Sequence, residues 1–292
     1  PMKRPIPASE LILNDDGSVF HLHLRPEQLA DTVLLVGDPG RVETVAARFD
    51  TREEEVSNRE FHTVTGTFRG KRLSVVSTGI GTDNIDIVLT ELDALANIDL
   101  TSRTVRPQFR QLTLLRLGTC GALQSDLAIG SLIFSHTSIG MDGLLNFYAG
   151  RERVCNLAME QAMLEQVKPD PRLATPYCID ADGSLAELFR HDTVPGITIS
   201  APGFYAPQGR YLRLAPADPG LLERLAAFSF DGLHVTNCEM ESSAVAGLAA
   251  LMGHRAATIC TVIAQRVAHD SDTDYQALIG HMIDTALARL TE

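Results

Sequence analysis

The sequence predicts an α/β protein in which helices cover a sheet, and three observations carry that expectation. Short apolar runs of strand length recur along the chain, segments with helical spacing of apolar residues alternate with them, and turns rich in glycine, proline and aspartate separate the two. A chain of 292 residues, 45% of them hydrophobic, can bury a core large enough for one such layered domain. No linker, internal repeat or low-complexity segment divides it, so one domain is expected.

Taken in order, "TVLLVG" (32–37) reads as a buried strand. Val42, Val45, Ala46 and Phe49 follow at i, i+3, i+4 and i+7, an amphipathic helix starting near Gly40. "FHTVTGTF" and "RLSVVSTG" alternate as strands about a charged "RGK" turn, a hairpin signal. A helix is expected from Asp83 to Asn97, with Ile85, Val88, Leu92 and Leu95 on one face and Asp83 as its cap. The polar, proline-interrupted segment 97–112 reads as a loop. "LTLLRLG", "GSLIFSHT", "GITISA", "LHVTNC" and "ATICTVIA" continue the strands, with helices expected over 152–168, 218–228, 240–252 and 274–290.

Composition narrows the function. No stretch reaches the roughly 18 apolar residues of a membrane span, and "PMKRPIPASELILNDDGS" lacks the apolar core of a signal peptide, so a cytoplasmic protein is expected. Cys120, Cys155, Cys178, Cys238 and Cys260 show neither CxxC nor paired His spacing, which points to reduced thiols and no structural zinc. A net charge of −12 argues against nucleic acid or an anionic membrane as partner. It leaves room for a small anion held by a few local arginines.

Several stretches could hold such an anion. "VLLVGDPGR" runs from strand through a tight turn into a helix that carries Arg41 in its first turn, where backbone N–H groups and the helix dipole favour negative charge. The same residues also make an ordinary strand-to-helix turn. In "LLRLGTCGAL", Arg116 sits in an apolar strand and needs a carboxylate or an anionic ligand, because an unpaired buried charge costs several kcal/mol. Gly118, Thr119, Cys120 and Gly121 read as a turn that offers donors and room to the same anion. "NCEMESSA" places Glu239 and Glu241 at a helix start, either as dipole complements or as acceptors for a diol. "PGFYAPQGR" combines Phe204, which could stack on a base, with Gln208 and Arg210, which could hydrogen-bond its edge.

In this order, "VFHLHL", "VGDPGR", "SNREF", "STGIGT", "LRLGTCGAL", "FYAPQGR", "NCEMESSA" and "VIAQR" closely resemble the nucleoside phosphorylase family, in particular its uridine phosphorylases, from about Phe20 to Arg266. The resemblance implies an N-terminal extension over 1–19 and a nucleoside phosphorylase domain over 20–292. It implies a single-domain three-layer α/β/α sandwich with a mixed, partly barrel-like central sheet. The phosphate site it implies is Gly37, Arg41, Arg116 and Thr119, with Arg59 reaching into a neighbouring subunit. The ribose site is Glu239, Met240 and Glu241, with His21 from the neighbour, and the base site is Phe204, Gln208 and Arg210 with Arg266 nearby. A homo-oligomer follows, a dimer or a hexamer of dimers. Inorganic phosphate is the co-substrate, and no organic cofactor or metal is expected.

The resemblance implies reversible phosphorolysis of uridine to uracil and ribose 1-phosphate. Purine phosphorylases of the family carry an aspartate after a serine where this chain has Gln265 and Arg266, so the purine proton donor is absent. Two other readings stay open: a purine or broad-specificity phosphorylase or nucleosidase, and a non-catalytic nucleoside-binding protein. The chain also departs from the pattern. Cys120 replaces a hydroxyl residue, Asn84 replaces a serine beside Glu60 and Ile80 at a monovalent-cation site, and 101–110 reads as an insertion.

Overall fold

The computed structural model describes residues 4–271 and 274–292. The chain enters the sheet with β1 (Thr32–Val36), every residue of which is buried. The reason lies in its alternation: Val33 and Leu35 pack into one core cluster while Leu34 and Val36 pack into another on the opposite face, as expected of a strand covered on both sides. Helix α1 (Pro39–Ala46) follows, with the Asp38 side chain accepting from the Gly40 N–H at 2.9 Å and proline in the first turn. It stops before Phe49.

The strands β2 (Thr51–Asn58), β3 (Phe61–Phe68) and β4 (Lys71–Ser77) form an antiparallel meander. Arg69 and Gly70, both at positive φ, make the expected two-residue turn between β3 and β4. Helix α2 (Thr82–Asn97) buries Ile85, Val88, Leu92 and Leu95 as expected, but its N-cap is Gly81 at φ 98°, and Asp83 lies within the first turn. A two-strand ladder, β5 (Ile98–Asp99) with β6 (Thr104–Val105), occupies part of the segment expected as loop. Arg103 in its turn donates to the carbonyls of Ile6 at 2.8 Å, Pro7 at 3.2 Å and Leu11, so residues 6–11 and the 101–110 segment are tied together.

Strand β7 (Thr113–Ala122) runs four residues beyond the expected "LTLLRLG": Gly118 to Gly121 continue the strand and are no turn. Its first half pairs with β1, and its last residues pair with β12 (Leu233–Glu239). The remaining elements are β8 (Leu132–Gly140), α3 (Leu157–Val167), β9 (Tyr177–Asp180), α4 (Gly183–Leu188), β10 (Val194–Ser200), α5 (Leu221–Ala226), β11 (Ser229–Phe230), β12 (Leu233–Glu239), α6 (Ser242–Met252), β13 (Arg255–Gln265), β14 (Asp270–Ser271) and α7 (Gln276–Leu290). The expected helices 152–168, 218–228, 240–252 and 274–290 are all present and shorter; β2, β9 and α4 were not expected.

The pairings β7–β13, β13–β8, β8–β10, β10–β12 and β12–β7 close a five-stranded circuit, while β1, β4, β3 and β2 extend as an open sheet from β7. Helices α2 and α6 cover one face, and α1, α4 and α7 cover the other. This is the three-layer arrangement with a partly barrel-like sheet.

Candidate active site

A cavity of about 1180 Å³ opens where β1, β7 and β12 end, and Gly37, Arg41, Arg116, Thr119, Phe204, Gln208, Arg210, Glu239, Met240 and Glu241 all line it. Ten of the thirteen residues singled out from the sequence therefore meet in one place. Its position is that expected for a ligand site at the carboxyl ends of sheet strands.

At one end two arginines approach each other. Arg41 projects from the first turn of α1, and burial together with the neighbouring Arg116 pushes its pKa below the ordinary arginine value. Arg116 forks between two carboxylates, Nη1 donating to Glu239 Oε2 at 3.2 Å and Nη2 to Glu241 Oε2 at 2.7 Å. All three side chains are nearly inaccessible, at 6%, 1% and 5% exposure. Burial works against the Arg116 charge, but Glu241 and then Glu239 outweigh it and hold its pKa above the ordinary value. Its Nε remains buried without a hydrogen-bond partner, an unused donor in a polar site.

Glu239 has a local task that explains its position. Its carboxylate accepts from the Ser242 and Glu241 N–H groups at 2.9 Å each and from Ser242 Oγ at 2.6 Å, closing the start of α6. Burial pushes its pKa up against the pull of Arg116, and the like charge on Glu241 adds to the rise. Glu241 is fixed from the other side by the Gly81 N–H, 2.9 Å from Oε1. Gly118 serves the same fork: a Cβ there would lie 2.3 Å from Arg116 Nη1. The glycines after Arg116 are expected from the sequence to give room to an anion; Gly118 instead makes room for the guanidinium of Arg116.

At the other end the loop after β10 folds on itself. Arg210 Nη1 donates to the Phe204 carbonyl at 2.6 Å and to Gln208 Oε1 at 2.8 Å, and its Cζ stands 3.8 Å from the Phe204 ring centroid. Gln208 Nε2 donates to the Gly203 carbonyl at 3.1 Å, which fixes which end of the amide is which. Burial lowers the Arg210 pKa, and Arg266 adds to the effect. Arg266 does not line the cavity; its stem packs against Gly121, which does. Gln265 turns away, its amide spent on the carbonyls of Gln124 and Leu127 and on the Val267 N–H.

Cys120 and Cys238 also line the cavity. Burial raises the Cys120 thiol well above its ordinary pKa, with a hydrogen bond to Cys260 adding to the rise, and burial lifts Cys238 to about 12. Both are neutral thiols at neutral pH. Asn84 Nδ2 donates to Glu60 Oε1 at 3.3 Å, so an amide occupies the carboxylate of that pair.

His21 and Arg59 lie outside this cavity, together on the surface. Arg59 sits in the two-residue turn between β2 and β3 at φ 55°, with Cζ 5.9 Å from the Phe20 ring centroid. His21 Nδ1 stands 2.6 Å from Glu91 Oε2. Gly81, Ser242 and Glu91, which hold the candidate side chains of Glu241, Glu239 and His21 in place, escape sequence reasoning. Their signals were weak: a glycine, a serine and a helical glutamate have many ordinary uses.

Residues 31–291 match the Phosphorylase superfamily. The chain is 31% identical over 261 residues to a uridine phosphorylase of Thermococcus kodakarensis, covering 88% of this chain and 80% of that protein. It is also 31% identical to the Escherichia coli uridine phosphorylase, with 86% and 87% covered. A DeoD-type purine nucleoside phosphorylase of Hahella chejuensis is 28% identical, with 83% and 84% covered. Among solved structures, a Trypanosoma brucei nucleoside phosphorylase that shows uridine phosphorylase activity matches with a TM-score of 0.87 at 28% identity, covering 96% of this chain and 99% of that one. The fold, the convergent cavity and a match that spans nearly the whole chain agree: this protein belongs to the phosphorylase superfamily, as a nucleoside phosphorylase.

Proposed function

We propose that the protein is a uridine phosphorylase that cleaves uridine reversibly with inorganic phosphate to uracil and ribose 1-phosphate. The observation that carries this reading is the pairing, in one cavity, of the buried Arg116, which keeps a spare Nε donor, and the half-buried Arg41 beside it with an opposite end built from Phe204, Gln208 and Arg210. The residues at the end of β13 agree with a pyrimidine, since Gln265 and Arg266 offer no acid to protonate a purine.

In this reading Arg41, Arg116, Thr119 and the Gly37 backbone hold phosphate, joined by Arg59 of a second copy. Glu241 and the neighbouring Glu239 and Met240 hold the ribose, with His21 of the second copy at the 5′-hydroxyl. Phosphate oxygen attacks C1′ as the C1′–N1 bond breaks, and the bonding pair leaves on uracil. The sugar passes through oxocarbenium character, which the phosphate charge stabilises. Gln208 and Arg210, with Arg266 behind them, stabilise the negative charge moving onto the base carbonyls. A single well-placed donor of this kind contributes roughly 3 to 4 kcal/mol, and no organic cofactor or metal takes part. A homo-oligomer, a dimer or a hexamer of dimers, in the cytoplasm belongs to the same reading.

The test is to incubate the protein with uridine, thymidine or inosine, with and without phosphate, and to measure free base and pentose 1-phosphate. Uracil and ribose 1-phosphate are expected only with phosphate. Base from inosine but not uridine would refute the pyrimidine assignment, and base release without phosphate would mark a nucleosidase.

A further inference from the structure

Beside the cavity lies a second group of interlocked polar contacts, centred on Glu91 of α2. Its Oε1 accepts from the His21 N–H at 2.8 Å and from the Leu22 N–H at 2.9 Å, while Oε2 faces His21 Nδ1 at 2.6 Å. Asn58 Nδ2 grips the His21 carbonyl at 2.7 Å from the other side. Asn58 is followed in sequence by Arg59, whose guanidinium lies over the Phe20 ring, and Phe20 meets the His21 ring edge-on at 4.9 Å. His21 thus has its N–H, its carbonyl and one ring nitrogen committed, and its side chain is 27% exposed.

The chemistry of this contact fixes a proton. A carboxylate that already accepts two backbone N–H groups is an acceptor only. The imidazole nitrogen facing it at 2.6 Å must therefore carry hydrogen, since two bare acceptors would repel. In a neutral ring that leaves Nε2 bare, an acceptor. The geometry points to Glu91 as a positioning residue that sets the tautomer and direction of His21, so that Nε2 accepts the 5′-hydroxyl proton of a nucleoside bound in a second copy. Glu91 touches no substrate in this scheme and acts only through His21. The inference rests on the placement of His21 at the neighbour's ribose given above. It adds a specificity: the enzyme selects nucleosides whose 5′ substituent donates a hydrogen bond, and discriminates against 5′-deoxynucleosides.

The experiment compares phosphorolysis of uridine and 5′-deoxyuridine by the full-length protein and its variants. Wild type should favour uridine in kcat/KM by about tenfold, the scale of one hydrogen bond. His21→Ala and Glu91→Ala should each bring the ratio close to one, and the double variant should lose no more than either. A wild-type ratio near one would remove the His21 contact itself, and the proposal with it. Loss of the ratio in His21→Ala but not in Glu91→Ala would overturn the role of Glu91 and leave the reading of the site intact. Equal loss on both substrates in Glu91→Ala would also overturn it, as the mark of a merely structural residue. Glu91→Gln guards against misfolding, because its carbonyl still accepts the two backbone N–H groups while its amide hydrogens face Nδ1 and drive the proton to Nε2. With ¹⁵N-labelled histidine, NMR should show hydrogen on His21 Nδ1 in wild type and on Nε2 in Glu91→Gln. Hydrogen on wild-type Nε2, alone or on both nitrogens, would refute the assignment.

Discussion

Arg116, Glu239 and Glu241 form a buried triad with one positive and two negative charges, and that imbalance makes a sharp prediction. Replacing Arg116 with Met leaves two carboxylates, 1% and 5% exposed, without their cation. Breaking a buried ion pair from one side costs about 3 to 5 kcal/mol. Replacing Glu241 with Gln removes the excess negative charge and weakens only the contacts from Arg116 Nη2 and Gly81 N–H, a cost of about 1 kcal/mol. The double variant Arg116→Met/Glu241→Gln leaves Glu239 alone. Burial already raises its pKa, so it can take up a proton, and the double variant should be more stable than Arg116→Met by about 1 to 2 kcal/mol. Urea unfolding measures this directly: with a slope near 3 kcal/mol per molar, the Arg116→Met midpoint should fall by roughly 1 to 1.7 M. A loss below about 1 kcal/mol for Arg116→Met, or a double variant weaker than that single one, would refute the charge-balance argument.

Three further outcomes follow from the same geometry. Arg210→Ala should lower kcat/KM for uridine by about 10² to 10³ while changing phosphate affinity less than about threefold; equal losses in both, by steady-state kinetics and calorimetry, would contradict the proposed role of Arg210 at the base. Gly118→Ala drives a Cβ against Arg116 Nη1, so it should destabilise by about 1 to 3 kcal/mol and raise the KM for phosphate by about tenfold or more; an unchanged phosphate KM would show that the fork is not needed in this position. The cavity thiols should resist alkylation. Cys238, lifted from 9.0 to about 12, should react with iodoacetamide at pH 8 about 10³-fold more slowly than an ordinary thiol. The linked stability has a definite sign. A raised thiol pKa favours the folded state below pH 9, and the advantage is lost as pH climbs from 9 towards about 12. Rapid alkylation of Cys238, followed by peptide mass mapping, would count against its burial in the folded site.

What was legible in the sequence was legible for physical reasons. Helices α1 and α2 carry apolar residues at the helical period, so their existence and core faces could be read directly, while β1 and α6 are continuous buried runs of strand and helix length. Strand β2 escaped because "TREEEVSN" is mostly exposed at the sheet edge and lacks an apolar face. The glycines of "RLGTCGAL" look like a turn, yet β7 runs through them because β13 and β12 pair with both sides of its distal half, a tertiary constraint that local composition does not carry. Arg116 could be recognised as a charge needing a partner. Which partner could not be read, since Glu239 and Glu241 lie more than a hundred residues away and reach it only through barrel closure. Glu91 illustrates the same limit: its two neighbours, His21 and Leu22, are about seventy residues distant.

Strand β7 belongs to two architectures at once, an open sheet through β1 and a closed circuit through β12. The end of the cavity at Arg41 is carried on the open half, by the turn after β1 and the first turn of α1, and Arg116 reaches it from β7 itself. The end at Phe204, Gln208 and Arg210 is carried by the loop that leaves the circuit after β10. The cavity is thus divided along a seam in the fold, which makes the chain modular in an evolutionary sense. On the proposed reading, the loop leaving the circuit can drift towards a different leaving group while the half assigned to the nucleophile stays under its own selection, so new substrate ranges can arise without rebuilding the reaction.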